Sequence, residues 1–82
     1  MSMFNVADAI IDVREIAPNI RHPLIFTTFD HLSPGEAFCI INDHDPKPLF
    51  YRLSADRPGM VSWQYLESGP DVWRIRISRS AV

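Results

Sequence analysis

Two histidines and two aspartates carry most of the chemistry this chain offers: His22, and downstream of it the run Asp43-His44-Asp45. Neutral imidazole and carboxylate are suitable ligands for Zn²⁺ or Fe²⁺, so His22, Asp43 and His44 form a candidate three-donor metal set. With Arg21, Asp45 and Lys47 added, the same residues suit a small ligand or acid–base work. A plainer assignment gives each a structural task. Asp45 then caps a helix, Asp43 pairs with Arg14 or Arg21, and the histidines finish their loops. The alternatives stay open at this level, as does whether the chain is an enzyme.

The elements around these residues read as βαβαββ. Ala9–Val13 is a short β-branched run, the pattern of a first strand. Pro23 suits a first helical position, which starts a helix near His22; Ile25, Phe29 and Leu32, at +4 and +3 spacing, form its inner stripe. Ser33-Pro34-Gly35 stops it. Ala37–Ile41 is continuously apolar, as expected of a central strand covered by neighbours. Pro46 starts a second helix, capped by Asp45, running to about Asp56 with Leu49, Phe50 and Leu53 inward, and Arg57-Pro58-Gly59 ends it. Met60–Leu66 and Val72–Ile77 then make a hairpin across Ser68-Gly69-Pro70-Asp71.

If the first two strands are parallel neighbours, both βα loops leave from one edge of the sheet. That edge, outside the carboxyl ends of the strands, is where ligands commonly bind in open α/β sheets, and it brings His22 to Asp43-His44-Asp45. Two helices cover one face of four strands. The fold class is therefore α+β, a two-layer sandwich of a four-stranded mixed sheet with two helices on one face. Alternation in the last strand puts Trp73, Ile75 and Ile77 inward and Arg74 and Arg76 on the open face, with Ser62 and Gln64 beside them as a candidate partner surface.

Composition bounds the rest. The 82 residues, 46% of them apolar, fit one folded domain over residues 9–79 behind a loose leader at 1–8. A single cysteine, Cys39, gives neither a disulfide nor a thiolate zinc finger and points to a reducing compartment, so a cytoplasmic location is expected. No apolar run approaches the roughly 20 residues of a membrane span, and the net charge of −2 provides no global basic field for nucleic acid. Neither partner is expected. An anion site at the helix starts is disfavoured, because Pro46 and Pro48 remove amide donors and Asp43 and Asp45 add negative charge; the balance favours cations or neutral polar ligands. Trp63, Trp73, Phe26, Phe29 and Phe50 match core spacing better than a base-stacking platform, and His31 complements the carboxyl end of the first helix.

With Leu32-Ser33-Pro34-Gly35-Glu36 before an apolar strand, this order of elements resembles the small sulfur carriers of the TusA and SirA type. Arg21-His22-Pro23-Leu24-Ile25-Phe26, Asn42 to Leu49 and Tyr65-Leu66-Glu67 more specifically resemble a bacterial domain-of-unknown-function family related to those carriers. The resemblance implies the same fold and a protein partner in redox or sulfur metabolism. The carriers hold their active cysteine in a Cys-Pro-x-Pro motif at the start of the first helix. Here that region, Ala17 to Pro23, has no thiol, and Cys39 lies in the most apolar strand, where burial raises a thiol pKa and blocks access.

Overall fold

The computed structural model describes residues 8–81. The loose leader expected at residues 1–8 lies outside them except for Asp8. Strand β1 (Ala9–Asp12) leads through a 3-10 turn (Val13–Glu15) into α1 (Pro18–Asp30). Strand β2 (Ala37–Asn42), helix α2 (Lys47–Asp56) and the hairpin of β3 (Val61–Ser68) and β4 (Trp73–Arg79) follow. The sheet order is β1-β2-β4-β3, with β1 parallel to β2 and the other neighbours antiparallel. This is the α+β architecture read from the sequence, with β2 central.

The core follows from alternation. On β2, Phe38 and Ile40 are buried and stand in register with Ile77 and Ile75 of β4. Ile25 and Phe29 of α1, one helical turn apart, and Leu49 and Leu53 of α2, with the same spacing, close over them, and Val13 fills the corner after β1. Both helices thus lie on one face.

On the open face Ala37, Cys39 and Ile41 are only half-buried. Cys39 pairs in register with Arg76, and Ile41 with Arg74. Arginine stems cover apolar neighbours while their heads reach water, so the continuous apolar pattern of β2 needs no second helical layer. The heads are ion-paired: Arg76 Nε donates to Asp8 at 2.8 Å and Arg74 Nε to Glu67 at 2.9 Å.

The start of α1 differs from the sequence expectation. The helix begins at Pro18, not near His22, and Pro23 lies inside it. Pro18 takes the first position, where a missing N–H costs nothing. The Ala17 carbonyl then accepts from the Ile20 and Arg21 amides at 2.9 and 3.2 Å. Two prolines competed for one signal, and the earlier one starts the helix. As a result Arg21 and His22 are helical residues, four and three positions before buried Ile25 and on its side of the helix.

The helices are tied at their far ends. Arg57 donates from Nε and Nη2 to the two carboxylate oxygens of Asp30 at 2.8 and 2.7 Å, and its guanidinium lies 5.5 Å from the Phe26 ring centroid. In the hairpin turn Gly69 has φ +65°, and a Cβ there would stand 2.7 Å from the Trp73 ring. Glycine is required at that position on both counts.

Two measurements check this frame. Leu53 is fully buried, and Leu53→Ala should cost about 2–5 kcal/mol in denaturant unfolding. The Arg57 hydrogen bonds hold the Asp30 carboxyl below the usual carboxylate range. A depressed carboxylate stabilises the fold above its unfolded pKa of about 3.9 and loses that contribution as pH falls through its folded value. The stability gap between wild type and Asp30→Asn should therefore be full at neutral pH and close below about pH 4.

Candidate functional site

The carboxyl edge of the parallel β1–β2 pair holds a cleft of about 90 Å³ lined by Arg21, His22, Asn42 and His44 over a floor that includes Val13, Ile25 and Leu49. Its position follows from the core. The inward series of β2, Phe38 then Ile40, ends on Asn42, which is 6% exposed. Beyond Asn42 there is no further strand residue to fill the space between the starts of α1 and α2, so the layer of side chains stops and a polar-walled recess remains. Pro46 and Pro48 close one side of it.

Three of the six ligand candidates read from the sequence, Arg21, His22 and His44, line this cleft; Asp43, Asp45 and Lys47 do not. Asp43 is turned to its neighbour: the His44 Nδ1–H donates to Asp43 Oδ1 at 2.7 Å, and this bond holds the Asp43 carboxyl below the usual carboxylate range. It does not pair with Arg14 or Arg21. The Arg14 guanidinium is held by Asp12 at 2.9 and 2.7 Å, and Arg21 Nε donates to the Ile16 carbonyl at 2.8 Å.

Asp45 is not a helix cap. The position before α2 is Pro46, no side chain caps it, and Asp45 Oδ1 accepts from the Tyr65 hydroxyl at 2.7 Å. Tyr65 belongs to a row of aromatic contacts, Phe50 to Trp63 to Tyr65 to Trp73, with centroids 5.1, 6.4 and 6.1 Å apart. Desolvation, followed by the bond to Asp45, pushes the Tyr65 hydroxyl pKa up. The hairpin thus draws the Asp45 carboxylate away from the cleft.

The cleft lining differs from the sequence expectation of a carboxylate-rich edge, because neither Asp43 nor Asp45 is part of it. The lining has a guanidinium, two imidazoles and a carboxamide, and both aspartates are engaged elsewhere. Arg21 uses Nε locally, and its two terminal nitrogens have no hydrogen-bond partner among the described residues. His44 carries its proton on Nδ1 in that bond, which leaves Nε2 as its free ring atom. Asn42 Oδ1 accepts from the Asp43 amide at 2.8 Å, leaving its NH₂ group as a donor. Such a recess suits an oxygen-rich, negatively charged group. Among the described residues no group of three or more His, Cys, Asp and Glu side chains is placed to hold a metal ion, so the Zn or Fe set of His22, Asp43 and His44 does not assemble.

Asn42 and Tyr65 were absent from the sequence candidates. Asn42 had a readable signal, a polar residue in the inward register at the end of an apolar strand. Tyr65 had none, because its reach to Asp45 depends on the placement of β3 at the sheet edge. The other assignments fall outside the cleft. His31 Nδ1 donates to the Thr27 carbonyl at 2.7 Å at the end of α1. Cys39 faces the open side of the sheet rather than the core, and burial together with Asp8 raises its thiol pKa.

A two-layer α+β domain with a polar recess at the carboxyl edge of its parallel strands is the class that fold and site define. A family model described as "Uncharacterized conserved protein (DUF2249)" matches residues 10–79, and the chain belongs to that family. No curated protein and no solved structure matches it. No helix among the described residues is long and apolar enough to cross a membrane.

The Asp43–His44 bond fixes a tautomer, which gives a direct check. In Asp43→Asn the carboxylate acceptor is gone, and ¹⁵N NMR of the neutral ring should show His44 moving from mainly Nδ1–H towards the Nε2–H form. An unchanged tautomer would remove Asp43 from any role in orienting the ring.

Proposed function

We propose that this domain binds a small carboxylate or similar oxyanion in the cleft of Arg21, His22, Asn42 and His44. The observation that carries the reading is the convergence of the Arg21 guanidinium and the Asn42 carboxamide on one cleft while Asp43 and Asp45 are engaged by His44 and Tyr65. Arginine matches a planar carboxylate with two parallel N–H donors, and the free terminal nitrogens of Arg21 meet that need. The Ile16 carbonyl holds the guanidinium in place, so less rotational freedom is lost on binding. The resemblance to sulfur carriers enters this reading as a scaffold only, because the one thiol, Cys39, is on another face and has a raised pKa.

The test is a titration of the purified chain with acetate, followed by NMR. Acetate has only four heavy atoms, so dissociation constants in the millimolar range, near −4 kcal/mol, are expected. Arg21→Gln should weaken binding about tenfold or more, the cost of one charge-assisted hydrogen-bonded contact. Arg21→Lys should recover only part of it. Unmoved His22 and His44 signals at molar acetate would sink the reading.

Docking of a protein partner, in the class of redox or sulfur-handling proteins, on the open sheet face is a second reading. It is favoured by Ile10, which is 63% exposed and in register with Cys39. In this version Ile10 is the anchor and Arg74 and Arg76 are bystanders, since Glu67 and Asp8 already neutralise them. Loss of a defined partner with Ile10→Ser, and its retention with Arg74→Gln, would support docking; the opposite pattern would return the role to the arginines.

A further inference from the structure

A second recess, a groove of about 290 Å³ between α1 and α2, is lined by His22, Pro23, Phe26, Arg52 and Asp56. His22 is common to it and to the anion cleft, so one imidazole forms the wall between two neighbouring spaces. The first is small, with polar walls over an apolar floor. The second has an apolar side, the Pro23 and Phe26 rings, facing a charged side on α2.

Size and charge together define an occupant. Small-molecule sites run on the order of 300–1,000 Å³; the cleft alone falls well short, whereas cleft and groove joined reach that range. Arg57 lies over the Phe26 ring and is itself clamped by Asp30, which limits the ring's movement. The ring is therefore a fixed surface on which a flat apolar body can lie. Arg52 and Asp56 are one helical turn apart, carry opposite charges, and have no ion pair among the described residues. Their charges cancel over the groove, so it offers no net attraction to a second anionic group.

Resting on the anion cleft proposed above, we propose that cleft and groove form one site for a monocarboxylate with a flat apolar body. The carboxylate sits on Arg21 beside His22 and His44. The body passes His22 and lies on Pro23 and Phe26, with its outer edge towards Arg52 and Asp56. Aromatic monocarboxylates fit this description. Dicarboxylates and uncharged analogues do not.

The experiment is an NMR titration of the full chain with three probes: acetate, phenylacetate and benzyl alcohol. Phenylacetate should bind at least about tenfold more tightly than acetate, a gain that a few buried apolar carbons supply. It should move Phe26 and Arg52 signals as well as those of His22 and His44, and benzyl alcohol should bind far more weakly than phenylacetate. Phe26→Leu, which keeps the inner packing but removes the flat ring, should erase most of the gain; if it fails to fold, Pro23→Ser tests the same wall. Equal affinity for acetate and phenylacetate with unmoved groove signals would overturn the joined site and leave the cleft reading intact. Binding of neither acid would overturn both, and benzyl alcohol binding as tightly as phenylacetate would overturn the carboxylate anchor.

Discussion

The parallel pairing of β1 with β2 is the constraint from which the rest of the molecule follows. A parallel pair requires a crossover, and α1 supplies it. Because α1 and α2 both pack on the face that presents Phe38, Ile40, Ile75 and Ile77, the two βα connections leave the same edge and their helices start side by side. The cleft is the space left where the inward register of β2 ends on Asn42. Breaking the β1–β2 register by one residue would turn Phe38, Ile40 and Asn42 against the wrong neighbours and remove the recess with the core.

Charge placement around that recess is a matter of competition between partners. Asp45 lies one residue before Pro46, close enough to act on α2, yet the Tyr65 hydroxyl takes it. Asp43 is adjacent to His44 and in the field of Arg21, yet His44 Nδ1 holds it. Each choice removes a carboxylate from the lining and leaves Arg21 as its dominant charge. The open face shows the opposite arrangement, with each of its two central arginines matched to an acidic residue at hydrogen-bond distance. One face is neutralised internally, and one edge is not.

The sequence made the strands, the order of elements and the inward residues readable, because Ile25 with Phe29, Leu49 with Leu53, and Trp73 with Ile75 and Ile77 follow helical or strand periods. Convergence of His22 with His44 was also readable, since it needs only a βαβ order. Helix boundaries were not. Pro18 and Pro23 carry the same signal, and only the Ala17 carbonyl bonds show which one starts α1. Side-chain choices at the edge were hidden for a related reason. Asp45 is a plausible cap by spacing alone, and its partner lies twenty residues away on a strand placed by tertiary packing. Which face Cys39 takes was not readable, because a continuous apolar run does not say which alternate residues face the helices.

The central claim is that the recess is kept for binding rather than for holding the fold. Its most direct test is a paired measurement on His22→Ala, unfolding free energy and acetate affinity in the same buffer. His22 is exposed and has no hydrogen bond among the described residues, so stability should stay within about 0.5 kcal/mol of wild type. Acetate affinity should fall several-fold. A loss of more than about 1 kcal/mol in stability with acetate binding unchanged would contradict the account and give His22 a structural role instead.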